Sequence, residues 1–514
     1  MERGISQGDP LSPFLFIIAA EGLNIALEMT KQSGAFSGIQ LPRQGPSISH
    51  LQYADDVIFL GSWSIENAKN LIRILRCFEL SSGLKVNMSK SKIFGIGVPN
   101  CELELLACYS NCSIASFPFI YLGLSVGGSM ARVTYWNPII EKFQARLSKW
   151  KANNLSFGGR LTLCKAVLSS LSTFYFFIYK ALVKVIKTLE KIRMRFFWGG
   201  DETSKKMAWI SWDKILADKD RGALGLGSLK AQNLALLGKW WWRFKNYPYS
   251  MWEEAIKSIY GVDGGFDRPS VAKRKSGCWG TIANISKFLE KDGVSFSNHF
   301  HRSLNPNGAH KWSWSLEPSG VFLVRSLRCH IDNLYLPDSD GIWSWNPLTP
   351  GKLSILAWRI CHGKLPIMVN LSRIGICSSN LCRIFHGDRE SEKHIFLECP
   401  VSKEVWQLIC KWWRLLDYPL VSICDMLQCK GNVAGHQRLA WIHEAIMLTF
   451  IWVIWKYRNL RAHSHAPNSK SIPALVFEVK SLSIFWINAR KKKGQILRWS
   501  EWCSDPILEC YSRL

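Results

Sequence analysis

Long apolar runs are missing from this sequence. The longest candidates, residues 166–179 and 445–454, fall short of the roughly 18 to 20 uninterrupted apolar residues that a membrane helix needs. A secretory leader is not indicated either, because Glu2 and Asp9 precede the apolar residues 11–20 where a signal peptide carries positive charge. The sequence therefore predicts a soluble protein of the nucleus, the cytoplasm or both, neither secreted nor embedded in a membrane.

Cysteine and acidic residues are also scarce. Sixteen cysteines in 514 residues are too dilute for a disulfide scaffold and suggest reduced thiols, with a metal site among them. Only 39 acidic residues stand against 65 Lys and Arg, which gives a formal charge of +26. An excess of this size indicates a polyanionic partner such as nucleic acid. The length and a hydrophobic content of 47% allow about three or four domains.

The positive charge is concentrated downstream. The first 100 residues hold nine Lys and Arg and eight Asp and Glu, so +25 of the net charge lies in the remaining 414 residues. Residues 131–200 contain 13 basic residues and two acidic ones, and the basic set includes Arg146, Lys149, Lys151, Arg160, Lys165, Lys184, Lys187 and Arg193. This pattern predicts basic helices that contact a polyphosphate backbone; a solvated helix surface is the alternative.

Residues 48–60, ISHLQYADDVIFL, have the strongest chemical signal. Two β-favouring runs flank Ala54, Asp55 and Asp56, which predicts a hairpin whose tight turn presents two adjacent carboxylates. Adjacent acids repel each other, so the pair favours a site where divalent cations neutralise them, as in phosphoryl-transfer enzymes. An isolated Asp-Asp pair is more often an exposed turn, but Tyr53 and the two flanking β-runs make the site interpretation stronger.

Two neighbouring segments have patterns that complete such a site. Residues 4–16, GISQGDPLSPFLF, form a loop punctuated by Gly and Pro that leads into an apolar helix and allows close approach of the backbone to a ligand. After the hairpin, apolar residues recur at helical spacing from Ala68 to Phe78, and Gly83 is the predicted end of that helix. The basic stretch 85–92, KVNMSKSK, follows and would place cations near the carboxylates.

Together these segments resemble the reverse transcriptases of non-LTR retrotransposons, especially the LINE-like elements common in plant genomes. Residues 4–16 resemble motif B of that family, YADD at 53–56 resembles motif C, and SGLKVNMSKSKIF at 82–94 resembles motif D. The resemblance implies that Asp55 and Asp56 are catalytic and hold Mg²⁺ or Mn²⁺. It implies a nucleotide and template pocket lined by Gln7, Gly8, Tyr53 and Lys90, and a primer-end region made by Tyr121, Leu122 and Gly123.

The fold class implied by the resemblance is α+β and multidomain. We expect a truncated right-hand polymerase palm with motifs B to D at 1–100, and motif E with a helical, thumb-like extension at 101–245. A linker region of unclear fold follows at 246–319, in which residues 312–314 and 320–324 suggest a short hairpin. A small zinc-binding-like domain is expected at 320–410 and a helical, basic C-terminal region at 411–514.

The implied partners are an RNA template and a DNA primer, the element's own RNA among them. The family's motif A, an aspartate upstream of motif B, has no counterpart in this sequence. Because two-metal nucleotidyl transfer usually needs that carboxylate, the prediction is an RNA-directed DNA polymerase that is inactive as this chain stands. The alternative is a non-catalytic remnant that still binds nucleic acid.

A second constellation involves cysteine and histidine. Residues 343–406 resemble the small zinc-binding domain that follows the polymerase in plant LINE-like proteins, with the pattern C-x2-C, then His, then Cys. Phe385 occupies the position of the second cysteine in this chain. The implied Zn²⁺ ligands are therefore Cys382, His386, His394 and Cys399, with Cys377 in reserve. A domain that is held by its aromatic core and has lost its metal is the alternative.

Overall fold

The chain forms two compact units, each built from three separate stretches of sequence. The first comprises 1–140, 172–186 and 232–328, and the second comprises 141–171, 187–231 and 329–514. The computed structural model describes residues 8–147, 154–200, 206–267, 277–304, 310–337, 345–414, 423, 437–463, 470–490 and 495–513. Helices dominate the described residues, and the described strands pair only as two-stranded sheets, so the protein mixes helix and strand as predicted.

The described strands lie in the first unit. One pair is parallel, Lys92–Ile93 with Ser113–Ile114. The antiparallel pairs are Ile39–Gln40 with Ser47–Ile48, His50–Tyr53 with Asp56–Phe59, Phe119–Tyr121 with Leu124–Val126, and Phe300–Leu304 with His310–Trp314. Since an isolated two-stranded ribbon is only marginally stable, each depends on the helices packed beside it.

The helices of the first unit surround two cores. They are Ser12–Gln32, Ile65–Ser82, Asn100–Ser110, Thr173–Ile178, Met251–Tyr260, Trp279–Ala283 and Ile285–Lys291, with 3₁₀ turns at Met88–Lys90, Val133–Trp136 and Phe296–His299. The predicted helix after the Asp-Asp hairpin is confirmed: Ser64 caps its start, and Gly83 ends it with a φ of 72°. Its buried face, Ile74 and Leu75, packs on Leu23 and Leu27 of the first helix.

Aromatic residues form the other core of the first unit. Trp314 is 1% exposed, and its ring centroid lies 4.8 Å from that of Phe300 and 4.8 Å from that of Phe322. Trp314 pairs with Phe300 in the strand register, so the predicted hairpin between 312–314 and 320–324 is wrong. The chain does turn back toward Trp314, whose backbone N–H donates to the Gly320 carbonyl at 2.9 Å. No strand follows there, because a helix begins at Val324. Burial of the Phe300 and Trp314 rings favours the observed pairing.

Helices make up the described part of the second unit. Asn137–Arg146, Val183–Phe197, Leu229–Asn246 and Val324–Tyr335 contribute residues to both units. The second unit also contains Phe157–Leu163, Ser169–Leu171, Trp212–Leu216, Gly351–Cys361, Met368–Arg373, Pro400–Trp412, Gln437–His463, Ile472–Arg490, Trp499–Ser504 and Pro506–Arg513, π-helical turns at Cys164–Leu168 and His394–Glu398, and a 3₁₀ turn at Lys219–Arg221. The predicted helical character of the C-terminal region is confirmed.

Within the described residues, three helices are long and apolar enough to cross a membrane, by length and composition. They are Ser12–Gln32, Leu439–His463 and Ile472–Arg490, and 11%, 72% and 33% of their most apolar windows are buried inside the protein. The sequence prediction considered uninterrupted runs alone, whereas these helices carry a few charged residues within an apolar background. The prediction that the protein avoids membranes therefore remains untested.

Candidate active-site hairpin and metal centre

The Asp55-Asp56 segment is a hairpin, as the sequence predicts. His50–Tyr53 pairs with Asp56–Phe59, and Tyr53 stands opposite Asp56 at the closed end. Ala54 takes a φ of 51°, which tightens the turn and leaves Asp55 and Asp56 exposed at its tip. The base of the hairpin is fixed because the Leu60 N–H donates to the Ser49 carbonyl at 2.8 Å, while Phe59 packs on the core between the first two helices. Two carboxylates are thus held on a rigid support.

A second hairpin brings the predicted primer-end residues beside the first. Phe119–Tyr121 pairs with Leu124–Val126 through a turn in which Leu122 and Gly123 have φ values of 48° and 79°. The Tyr175 hydroxyl donates to the Gly123 carbonyl at 2.9 Å and so secures this turn. Burial and the negative charge of Asp56 raise the pKa of Tyr121, so its phenol lies within electrostatic reach of that carboxylate.

The remaining predicted pocket residues have different positions. Gln7 lies outside the described residues. Gly8 is exposed, with a φ of 94°, in the turn before the helix Ser12–Gln32. Tyr53 is 65% exposed at the end of its strand. Lys90 is exposed in the 3₁₀ turn Met88–Lys90 and, in the described part of the chain, makes no hydrogen bond or ion pair with Asp55 or Asp56.

The basic region 131–200 divides into surface and interior cations. Lys149 and Lys151 lie outside the described residues. Among the others, Arg146, Lys184 and Lys187 are exposed, and Lys191 shares a helix face with the last two.

The interior cations of this region have structural roles. Arg193 is 0% exposed and bonds the Glu190 carboxylate and the Gly227 carbonyl. Arg160 donates to the Phe197 carbonyl at 2.9 Å, and Lys165 donates to the Leu224 carbonyl at 2.6 Å. The prediction of a polyphosphate contact is wrong for Arg193, which is buried; Arg160 and Lys165 are half-buried, and each donates to a backbone carbonyl.

Three residues of the predicted zinc set meet in the second unit. One ligand atom each from Cys382, His394 and Cys399 lies within 4.8 Å of the others, and all three residues are buried. They converge because Cys382 N donates to the Asp388 carbonyl at 2.8 Å, which folds its loop back, while His394 and Cys399 occupy the two ends of a π-helical turn. In the described part of the chain this is the one group of three or more His, Cys, Asp or Glu residues so gathered.

The electrostatics of this cluster suit a cation. A hydrogen bond from the Cys399 thiol lowers the pKa of Cys382 to about 5, and the same hydrogen bond is the main reason that the pKa of Cys399 is raised. The two sulfurs therefore share a proton that a metal ion can replace. His394 Nε2 is buried and has no hydrogen-bond partner, whereas Nδ1 lies 4.0 Å from an Asp388 carboxylate oxygen. A neutral imidazole with a vacant Nε2 lone pair is a ready zinc ligand.

The other predicted ligands stay outside this cluster. His386 is exposed and left-handed, with a φ of 63°, and its backbone N–H donates to the Cys382 carbonyl at 2.9 Å. The Cys377 sulfur contacts the carbonyls of Met368 and Ser379. Sequence reasoning missed Asp388, whose position six residues before His394 carries no recognisable spacing signal.

Comparisons with known proteins match the two regions in which these residues lie. Residues 1–126 match the family model described as reverse transcriptase (RNA-dependent DNA polymerase), and they include both hairpins. Residues 336–406 match the model described as zinc-binding in reverse transcriptase, and they include the Cys/His cluster. The chain carries a reverse transcriptase segment of the plant retroelement type. A reverse transcriptase domain uses divalent metal ions, and the second match indicates zinc binding.

Several Arabidopsis thaliana proteins are similar to this chain. One, provisionally named a ribonuclease H protein, is 22% identical over 391 residues, which cover 62% of this chain and 63% of the relative. Two are described as uncharacterized mitochondrial proteins. The first is 44% identical over 54 residues, covering 10% of this chain and 44% of the relative. The other is 29% identical over 106 residues, covering 20% of this chain and 69% of the relative. The chain thus spans less than two thirds of the length of the first of these relatives.

Proposed function

We propose that this chain is the part of a LINE-like, non-LTR reverse transcriptase that carries the YADD hairpin, the primer-end hairpin and a zinc centre. The observation that carries the proposal is the hairpin whose Ala54 turn holds Asp55 and Asp56 exposed and adjacent, and the raised pKa of Tyr121 adds that the second hairpin lies within electrostatic reach of Asp56. A polymerase needs its metal-binding carboxylates beside the primer terminus. The order of motifs B, C and D, followed by a zinc-binding segment, supports the LINE-like assignment.

Asp55 and Asp56 would hold the divalent ions, Mg²⁺ or Mn²⁺. Both side chains are exposed, adjacent and fixed by the hairpin, so their oxygens fit the preference of these hard cations. When bound, the ions would supply Lewis-acid stabilisation of the charge that develops on the transferred phosphoryl group. The protein's own part is positioning: the Ala54 turn presents the carboxylates, and the Leu122-Gly123 turn, secured by Tyr175, presents backbone to the primer end.

We also propose that this polypeptide does not extend primers by itself. In the described part of the chain, neither aspartate belongs to a group of three acidic, cysteine or histidine side chains with ligand atoms within 4.8 Å of one another. Two-metal transfer usually depends on a further carboxylate on the same support. Nucleic-acid binding does not need it, since exposed cations such as Lys184 and Lys187 contact phosphates without a metal.

The proposal is tested with an RNA template annealed to a labelled DNA primer, in Mg²⁺ and separately in Mn²⁺. We expect retention of the duplex that weakens steeply with salt and no added nucleotides. Extension that disappears in Asp55→Asn would overturn the proposed inactivity and leave the polymerase assignment intact. Failure to retain the duplex at low salt would overturn the assignment itself. Glu66→Gln, an exposed acid on the following helix that pairs with Arg73, is the matched control.

The zinc centre is proposed at Cys382, His394 and Cys399. Zinc prefers sulfur and imidazole nitrogen, and the three gathered atoms are of these two kinds. The unpartnered His394 Nε2 is the structural sign of a missing neighbour, because a buried ring nitrogen without a hydrogen bond is costly. Bound zinc would join the loop at Cys382 to the π-helical turn and stabilise the segment.

A further inference from the structure

The proposed metal centre gathers three ligand atoms, one fewer than a structural zinc site usually has. Of the two nitrogens of His394, Nε2 is the atom left for the metal, since Asp388 faces Nδ1. The three residues are no more than 4% exposed, but the turn 385–389 beside them is exposed throughout. The loop that follows Cys382 is therefore accessible to solvent.

Among the described residues, the neighbouring side chains add no fourth ligand atom to the cluster. Phe385 stands where the family has cysteine, offers no donor atom and is 51% exposed. His386 is exposed and its ring nitrogens are not among the gathered atoms, while the Cys377 sulfur contacts two backbone carbonyls. The buried Glu390 carboxylate accepts the backbone N–H groups of Met368 and Arg383 at 2.8 and 2.9 Å. The described residues therefore place three ligand atoms together and not four.

We infer that this centre binds its metal through three protein ligands, Cys382, His394 and Cys399, and takes a small exchangeable donor in the fourth position. The inference rests on the proposed zinc centre and deepens it. Two thiolates and a neutral imidazole balance the charge of Zn²⁺, so a neutral water completes the set at no electrostatic cost. A low-molecular-weight thiol can replace that water by binding as the thiolate and releasing its proton to solvent with the water, because zinc also accepts soft sulfur ligands.

Asp388 acts in this centre as a positioning residue. Its carboxylate oxygen lies 4.0 Å from His394 Nδ1, on the side of the ring away from the vacant Nε2. At that distance the carboxylate makes no hydrogen bond, but its negative charge attracts a proton on Nδ1 and so favours Nε2 as the ligand atom; a carboxylate near the second ring nitrogen is the usual support of a metal-binding histidine. Loss of such a partner typically lowers metal affinity by about 10- to 100-fold.

The test is a Co²⁺ titration of the full chain, with absorption spectra recorded before and after addition of 2-mercaptoethanol. We expect tetrahedral Co²⁺ bands and a sulfur-to-cobalt charge-transfer band that is lost in Cys382→Ser and in Cys399→Ser. The thiol should strengthen that charge-transfer band as the sulfur count rises. Asp388→Asn should weaken Zn²⁺ binding by about 10- to 100-fold in competition with a chelator. Cys377→Ser is the matched control and should leave the spectra unchanged.

The outcomes separate this inference from the zinc proposal. If no Co²⁺ band depends on Cys382, the zinc centre itself fails. If the bands form without any change on addition of the thiol and are altered by His386→Ala, then His386 is the fourth ligand. In that case the inference of an exchangeable position is wrong, although the proposal of zinc binding stands. If the bands respond to the thiol and not to His386→Ala, the exchangeable position is supported. An unchanged Zn²⁺ affinity in Asp388→Asn would overturn the positioning role.

Discussion

Arg458 holds the buried carboxylate of Glu390 through two hydrogen bonds, Nη2 to Oε1 at 2.5 Å and Nε to Oε2 at 3.2 Å. Arg458 is 3% exposed and Glu390 is 0% exposed. The same carboxylate accepts hydrogen bonds from the backbone N–H groups of Met368 and Arg383. Each oxygen of Glu390 therefore accepts one hydrogen bond from Arg458 and one from the backbone. Because Arg383 follows Cys382 directly, this ion pair fixes the metal-centre loop to the helix Gln437–His463.

Removal of one partner of this ion pair should be strongly destabilising. We expect Arg458→Met to lower the free energy of unfolding by about 3 to 5 kcal/mol, because it leaves the Glu390 charge buried without compensation. The double variant Glu390→Gln with Arg458→Met should recover part of that loss, since no net charge remains buried. Urea-induced unfolding, followed by tryptophan fluorescence, measures both changes.

The control for this prediction is a surface pair of the same unit. Glu478→Gln breaks the contacts of Glu478 with Lys456 and Lys470, which lie near the surface. Exposed pairs contribute about 0 to 1 kcal/mol, so a small effect is expected. A loss for Arg458→Met no larger than that of Glu478→Gln would contradict the role assigned to the buried pair.

The exposed lysines on the helix Val183–Phe197 should determine part of the salt dependence of nucleic-acid binding. Lys184, Lys187 and Lys191 are exposed and three or four residues apart, so they share one face. Each phosphate contact on single-stranded RNA contributes about 0.7 to the slope of log K against log salt. The triple Lys→Gln variant should therefore reduce the magnitude of that slope by about 2, as measured by filter binding.

A matched variant should leave this slope unchanged. Lys456→Gln with Lys470→Gln also removes positive charge, at two lysines elsewhere in the chain that both contact Glu478. If the two variants change the slope equally, the effect reflects net charge and not a phosphate contact by the helix. The prediction would then fail, although general attraction between a +26 chain and RNA would remain.

Local patterns allowed the hairpin at Asp55 and Asp56 to be predicted, because its strands are adjacent in sequence and their β-favouring runs specify them. The helix that ends at Gly83 was predictable for the same reason, since its apolar period and its terminating glycine lie within one segment. Cys382, His394 and Cys399 lie close in sequence and could be selected by residue type. Their convergence required a backbone bond between Cys382 and Asp388 that composition does not reveal.

Long-range pairing explains what could not be predicted. Arg458 and Glu390 are 68 residues apart, and Arg193 bonds a carbonyl 34 residues away, so neither partner is indicated by spacing. Charge counting therefore assigned Arg193 to the surface. The hairpin at Trp314 was assigned to the wrong partner because residues 320–324, GVFLV, are richer in β-forming residues than residues 300–304, FHRSL, whereas the observed pairing buries Phe300 against the Trp314 ring.

The proximity of the two hairpins can be tested by titration of Tyr121. Burial and the charge of Asp56 raise its pKa above the ordinary value of 10, because the tyrosinate anion is disfavoured both by desolvation and by a like charge. Asp56→Asn removes the second cause, so the pKa should fall toward 10. The measurement is ¹³C NMR of tyrosine Cζ, with the resonance assigned by Tyr121→Phe. Asp55→Asn is the control and should shift the pKa less; an equal shift in both variants would contradict the specific pairing with Asp56.

The buried helix Gly351–Cys361 offers a test of how the second unit is held together. The Trp358 ring is 0% exposed, and its Nε1–H donates to the Gly222 carbonyl at 2.8 Å. Trp358→Phe keeps an aromatic ring but leaves that buried carbonyl without this donor, which costs about 1 to 3 kcal/mol in addition to the lost volume. Urea unfolding should show a clear loss of stability. Trp499→Phe removes the same atoms from a ring that is 41% exposed, so it should cost much less. Equal losses would mean that the hydrogen bond to Gly222 does not stabilise the unit.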